Sequence, residues 1–188
     1  MFTHLAERPE LSFGLQTENI NGSRIYTTPE GNKYSSVTTV LGELIKADIQ
    51  KWRESIGEKE ANKITGKASR RGTRLHSICE SYIKNEDGYL EGQLPDVFAM
   101  FQSIEPILKR INNIHGVELG LYSDHLKLAG RTDLIAEFDG RLSVIDYKSS
   151  AKRKKYEHCY NYFAPVSYTH LRAHETLRYL VCRLLLEK

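Results

Sequence analysis

The chain has 188 residues, enough for one domain with a substantial core, and its apolar (40%) and charged (27%) fractions are ordinary for a soluble globular protein. A formal charge of +3 is too weak to argue for nucleic acid by itself, no apolar run approaches membrane-spanning length, and the opening MFTHLAERPE lacks the charged-then-apolar layout of a secretory leader. Cys79, Cys159 and Cys182 form no CxxC pair or metal-ligand spacing, so a reducing, cytoplasmic compartment is the expectation.

The first legible element is a hairpin over Arg24–Leu41, where two β-rich runs flank a turn containing Pro29, Gly31 and Asn32. Helical pattern follows from about Leu41 to Ile56 and again from about Glu58 to Lys84. A third amphipathic helix is expected over Pro95–Ile114, with Val97, Phe98, Phe101, Ile104, Ile107, Leu108 and Ile111 at helical spacing. Strand signals come next: GVELGLYS, then TDLIAEF and RLSVIDYK. The order is therefore mostly helices first and a sheet after, with no internal repeat. The basic run AKRKKYEH, directly after the last strand, reads as the start of another helix.

Asp139-Gly140 is a strong two-residue turn signal, because both residue types tolerate the positive φ of a type I′ turn. With that loop Phe138 faces Arg141, Ile135 faces Val144, and Asp133 lies opposite Asp146. Alternation then puts Asp133, Asp146 and Lys148 on one face. Opposed like charges with Cβ atoms about 5 Å apart destabilise a sheet, and a divalent cation between them would turn repulsion into coordination. Oxygen ligands of this kind suit Mg²⁺ or Mn²⁺. The other reading is a solvated face on which the carboxylates pair with Arg131 and Lys148. Apolar residues on both faces favour a central hairpin, and a charged triplet in a buried hairpin needs a chemical reason.

Gly130-x-x-Asp133 followed by Asp146-x-Lys148 resembles the core motif of the PD-(D/E)XK nuclease superfamily. RRGTRLHSICESYI (Arg70–Ile83) is similar to the RGTxxHxxxExY helix of RecB-type exonucleases. YSSVTTVL and KWRESIGEKEANKI resemble the leading segments of phage exonucleases related to mitochondrial genome maintenance exonuclease. The resemblance runs from about Tyr34 to Ala164. It implies an α/β, restriction-endonuclease-like core, a mixed central β-sheet flanked by helices, cutting DNA with Mg²⁺, with Mn²⁺ as a substitute. By the same resemblance His76, Asp133 and Asp146 are metal ligands, the backbone carbonyl of Tyr147 is a further one, and Lys148 activates the attacking water and steadies charge at the phosphate.

Glu80, four residues after His76 on the same helix face, is either a partner orienting His76 or a surface carboxylate. Glu118 on the preceding strand would steady the site. Arg70, Arg71 and Arg74 fit either phosphate contacts or a solvated basic turn, and Lys152 in the following basic run is open in the same way. The four cysteines that hold an iron–sulfur cluster in some RecB-type relatives are missing, so no such cluster is expected. The implied partner is DNA with a free end or single-stranded, together with phage or host replication and recombination proteins and no membrane. A non-catalytic DNA-binding accessory of recombination and a structure-specific endonuclease are the alternatives on the same core.

The last segment reads differently. Back-translation of Val166–Lys188 resembles the transposase adapter of short-read sequencing libraries, then, after a gap of index length, the flow-cell end of the same adapter. The expectation is a single, incomplete nuclease domain over residues 1–165, truncated at the C-terminus, and a non-native tail over 166–188, although the tail could also pass for an amphipathic helix. Relatives continue at this point with a helix carrying Gln-x-x-x-Tyr, and the one native base left in codon 165 is compatible with glutamine where Pro165 now stands.

Overall fold

The computed structural model describes residues 1–5, 14–149 and, as backbone only, 181–186. Its elements in chain order are β1 (Gln16–Ile20), β2 (Ser23–Thr27), β3 (Lys33–Ser36), α1 (Val37–Ile56), α2 (Glu58–Ile83), α3 (Pro95–Leu108), β4 (Ile111–Ser123), β5 (Leu128–Phe138), β6 (Arg141–Lys148) and β7 (Val181–Leu186). The sheet is mixed, in the order β1-β2-β3-β5-β6-β7 with β4 also paired to β5.

The early hairpin forms as β2 and β3, with Ile25 opposite Ser35 and Tyr26 opposite Tyr34. Its second strand is shorter than the sequence pattern allows. The β-branched run Val37-Thr38-Thr39-Val40 opens α1 instead of extending β3. Ser36 takes the extended conformation of a helix N-cap, and Val37 is buried, within van der Waals reach of Gly130 on β5. Tertiary packing at the strand–helix junction thus overrides a β propensity that is weak and context-dependent.

α3 also ends earlier than expected, at Leu108, and Ile111 to Ile114 belong to β4. The spacing of Ile107, Ile111 and Ile114 suits a helix, but Pro106 lacks the N–H for the last turn and the chain turns at Lys109 and Arg110. Ile111 then pairs with Phe138 and Ile114 with Ala136, across bulges that shift the register twice before Gly116. A larger residue at 116 would have to displace Leu119, because an added Cβ would lie 2.3 Å from that side chain. β1 has no sequence signal: all five of its residues are exposed, so neither alternation nor an apolar run marks it.

One layer of helix covers one face of the sheet. Leu75, Ile78, Cys79 and Ile83 of α2, with Val97, Phe101, Ile104 and Leu108 of α3, pack on Leu134, Ala136, Phe138, Ile145 and Tyr147. Burial of this cluster, at about 25 cal/mol per Å² of apolar surface, is the main force fixing α2 across β5 and β6. β7 lies parallel to β6, with Asp146 opposite Leu184. In that part of the tail the chain is a strand rather than the amphipathic helix its pattern allowed. The basic run after Ser149, including Lys152, lies outside the described residues.

Candidate active site

The β5–β6 hairpin has the register expected from its turn. Asp139 and Gly140 both have positive φ (51° and 73°), Phe138 faces Arg141, and pairing continues to Leu134 opposite Ile145. Arg110 braces the turn by an ion pair with Asp139 and lies 4.6 Å from the centre of the Phe138 ring. One step beyond Leu134 and Ile145, the same register carries Asp133 opposite Asp146. There the regular ladder stops, and the Asp133 carboxylate takes its place: Tyr147 N–H donates to Asp133 Oδ2 at 2.6 Å.

The sheet topology gives the reason for this break. β4 pairs along one whole edge of β5, from Leu128 to Phe138. The opposite edge is shared. β3 holds its beginning, at Leu128 and Ala129, and β6 holds its end, from Leu134 onward. Residues 130–133 lie in the fork between β3 and β6, so the Asp133 side chain enters a gap that no strand fills among the described residues.

α2 crosses this fork and brings His76 to it. His76 Nδ1 lies 3.4 Å from Asp133 Oδ1, and its ring meets the Tyr147 ring edge-on, at 5.8 Å between centroids and 81° between planes. Lys148 Nζ lies 2.5 Å from Asp146 Oδ2 and 3.5 Å from the Tyr147 carbonyl oxygen. His76, Asp133, Asp146, Tyr147 and Lys148, separated by up to 72 residues in sequence, therefore meet at one end of the hairpin.

The electrostatics reflect enclosed carboxylates. Burial pushes Asp146 above the usual carboxylate range; the Lys148 charge opposes that shift and Asp133 adds to it. Burial alone would lower His76, but its hydrogen bond to Asp133 and the Asp133 charge outweigh this and leave it raised. Glu118 is also raised, by burial first and then by Asp133 and Glu80. It stands opposite Asp133 on the β4 side, between the pairs Val117–Leu134 and Leu119–Thr132, and holds a left-handed φ of 55°. Three carboxylates thus form a row across β4, β5 and β6.

Glu80 lies at the far end of a groove of about 400 Å³ lined by Gly72, Thr73, His76, Ser77, Glu80 and Glu118. It is held by Lys84 at 2.6 Å, and Glu118 by Arg131 at 3.7 Å. Arg70 and Arg74 are exposed on α2 and Arg71 is half-buried. The arginines lie within two turns of His76 along α2, and none of them lines the groove. Sequence reading missed the small residues Gly72, Thr73 and Ser77 as groove walls, although Gly72 and Thr73 are part of the RGT segment itself. The Tyr147 amide clamp on Asp133 carries no sequence signal, since any residue but proline supplies an N–H.

The donor set suits a hard divalent cation: two carboxylates, an imidazole and a backbone carbonyl. Among the described residues no three His, Cys, Asp or Glu side chains already converge as a ligand set. In this arrangement His76 turns to Asp133 and Lys148 to Asp146.

A mixed sheet with helices packed on it, and an acidic hairpin end opened by a strand fork, is an α/β fold of the restriction-endonuclease-like kind. The family model for the PD-(D/E)XK nuclease superfamily matches residues 74–180, more than half the chain and the whole interval from His76 to Lys148. The chain belongs to this superfamily. It is similar to mitochondrial genome maintenance exonuclease 1 of Mus musculus, 28% identical over 131 residues, which is 65% of this chain and 39% of that protein. The Homo sapiens protein of the same name is 26% identical over 134 residues (66% and 39%), and the Xenopus tropicalis protein 23% over 129 residues (64% and 37%). The chain thus spans about two-fifths of the length of these relatives.

Proposed function

We propose that this chain is the catalytic part of a metal-dependent deoxyribonuclease that hydrolyses DNA phosphodiester bonds from an end, with Mg²⁺ as its ion and Mn²⁺ as a substitute. The single observation that carries the reading is the meeting of His76, Asp133, Asp146 and Lys148 at the hairpin end where the sheet forks. Superfamily membership and similarity to exonucleases support it.

Asp133, Asp146, His76 and the Tyr147 carbonyl would hold the ion. When bound, it supplies a Lewis acid for the phosphoryl oxygen and lowers the pKa of a coordinated water. The chain's own groups do the rest. Lys148, next to Asp146, orients the attacking water and offsets charge developing on the phosphate. The amide of Tyr147 fixes one oxygen of Asp133, leaving the other toward His76. Glu118 and Glu80 hold the groove beside the site, and Arg70, Arg71 and Arg74 take backbone phosphates of the incoming strand.

We further propose that residues 1–165 are the native part of an incomplete nuclease domain and that 166–188 is adapter-encoded; the uninterrupted gene, read for Gln-x-x-x-Tyr after Ala164, tests this. A role in phage or bacterial DNA replication, recombination or repair, in the cytoplasm, completes the proposal.

The test is hydrolysis of end-labelled single-stranded and duplex DNA with Mg²⁺ by the full-length parent of this chain, alongside calorimetry with Mn²⁺. Asp146→Ala and Lys148→Ala should each lose about 10²-fold or more in rate, and Asp146→Ala should also lose Mn²⁺ binding. Unchanged hydrolysis in both variants would sink the assignment. A wild-type chain that binds DNA but neither binds Mn²⁺ nor hydrolyses would favour a DNA-binding accessory instead.

A further inference from the structure

Tyr147 touches every other member of the site. Its N–H donates to Asp133 Oδ2 at 2.6 Å, its carbonyl oxygen lies 3.5 Å from Lys148 Nζ, and its ring stands edge-on to His76. The ring is 1% exposed and sits in the core cluster with Leu75, Ile78 and Cys79 of α2. The site's two halves come from elements far apart in sequence. The carboxylates belong to the hairpin, whereas His76 is half-exposed on a helix held to the sheet mainly by apolar packing. An imidazole in that setting has rotamers open to it, and two contacts bear on the choice: the Asp133 carboxylate and the Tyr147 ring.

We propose that the Tyr147 side chain is a positioning residue that fixes the His76 imidazole against Asp133, a role beyond the backbone groups the site uses. The proposal rests on the nuclease reading given above. An aromatic ring is needed because its positive edge and negative face give a preferred crossing angle, which an aliphatic side chain of similar volume does not. The 81° angle between the planes is the arrangement this preference selects. The hydroxyl has no part in it: Tyr147 Oη is buried without a hydrogen-bond partner among the described residues, so nothing is held by it. The requirement is therefore for the ring rather than for tyrosine.

That distinction supplies the test, made on the 188-residue chain. In the metal-free protein, proton NMR should show a through-space contact between the His76 imidazole and the ring at 147 in wild type and in Tyr147→Phe. With Tyr147→Leu the His76 signals should broaden or shift toward those of a free side chain. In hydrolysis assays Tyr147→Leu should lose about 10- to 100-fold in kcat relative to Tyr147→Phe, with KM for DNA little changed. Ile145→Ala, a cavity in the same cluster, serves as the stability control and should keep more of its kcat than Tyr147→Leu at temperatures below its melting point. The proposal is overturned if Tyr147→Leu leaves the His76 signals as in wild type, or loses no more kcat than Ile145→Ala. It is also overturned if Tyr147→Phe is as impaired as Tyr147→Leu. Failure of the nuclease reading looks different: Asp146→Ala and Lys148→Ala then hydrolyse as wild type does, and the NMR comparison still decides the role of the ring.

Discussion

Asp133 does two things with one carboxylate. A strand residue at its position would ordinarily pair through its backbone, and here the side chain takes the amide of Tyr147 while its other oxygen faces His76. A hydrogen bond from a backbone N–H to a carboxylate is short and strong, which keeps this side chain fixed. The same enclosure acts on Cys79, one turn after His76 on α2. Burial, with the Asp133 charge adding to it, pushes the Cys79 thiol up to about 12. The folded pKa lies above the ordinary value of 9.0, so the neutral thiol's contribution to stability is present below 9.0 and lost as pH rises through about 12. Because the thiolate is the reactive form, iodoacetamide at pH 8 should leave Cys79 unmodified in the folded protein and label it after denaturation, as peptide mapping would show. Labelling of the folded protein at the unfolded rate would mean that this stretch of α2 is open.

Among the elements, the β5–β6 hairpin is set by its turn, and two glycines separate what the backbone needs from what space allows. Gly140 has a φ of 73°, and a Cβ added there would meet nothing within 4 Å, so Gly140→Ala meets only backbone strain. It should cost about 1–2 kcal/mol. Gly42, inside α1, has equal room and no positive φ. Gly42→Ala should instead stabilise by up to about 1 kcal/mol, from helix propensity alone. Urea unfolding of the two variants checks the pair of signs, and a loss at Gly42 as large as at Gly140 would contradict the argument. The hairpin matters beyond its own stability. A slip of one residue would turn Asp133 and Asp146 to opposite faces and dissolve the site, so the turn residues are as necessary to the chemistry as the carboxylates are.

Across the whole molecule, apolar burial is uneven. α2 and α3 commit their apolar faces to the sheet, whereas Val37 alone among α1 residues is fully buried. Val40, Leu44, Ile45, Ile49, Trp52 and Ile56 of α1 are all exposed, Leu44 to 75%. This periodic stripe has the spacing of a core face, and among the described residues nothing covers it. Leu44→Lys should therefore change the unfolding free energy by less than about 0.5 kcal/mol, while binding of a hydrophobic dye to the folded protein falls. A loss comparable to a core truncation would show that the stripe is packed against something in solution.

The sequence by itself determined the hairpin and its register, because an Asp-Gly loop and alternating burial leave few other solutions. It also determined the existence of α1 and α2, since their apolar periodicity extends over many turns. It misjudged where α1 begins and where α3 ends, because Val37-Thr38-Thr39-Val40 and Ile107/Ile111/Ile114 fit either period and only packing against β5 decides between them. The motif residues His76, Asp133, Asp146 and Lys148 were legible as types in a pattern, and their resemblance to a family named the chemistry. The register also placed Asp133, Asp146 and Lys148 together; the approach of His76 to them was not legible. It depends on a parallel contact of Ser35 and Ser36 with Leu128 and Ala129, some ninety residues away, which leaves residues 130–133 in a fork. It depends as well on a helix laid over that fork by apolar burial. Neither leaves a local trace in the chain, since long-range pairing and nondirectional packing are properties of the folded sheet rather than of any window of sequence.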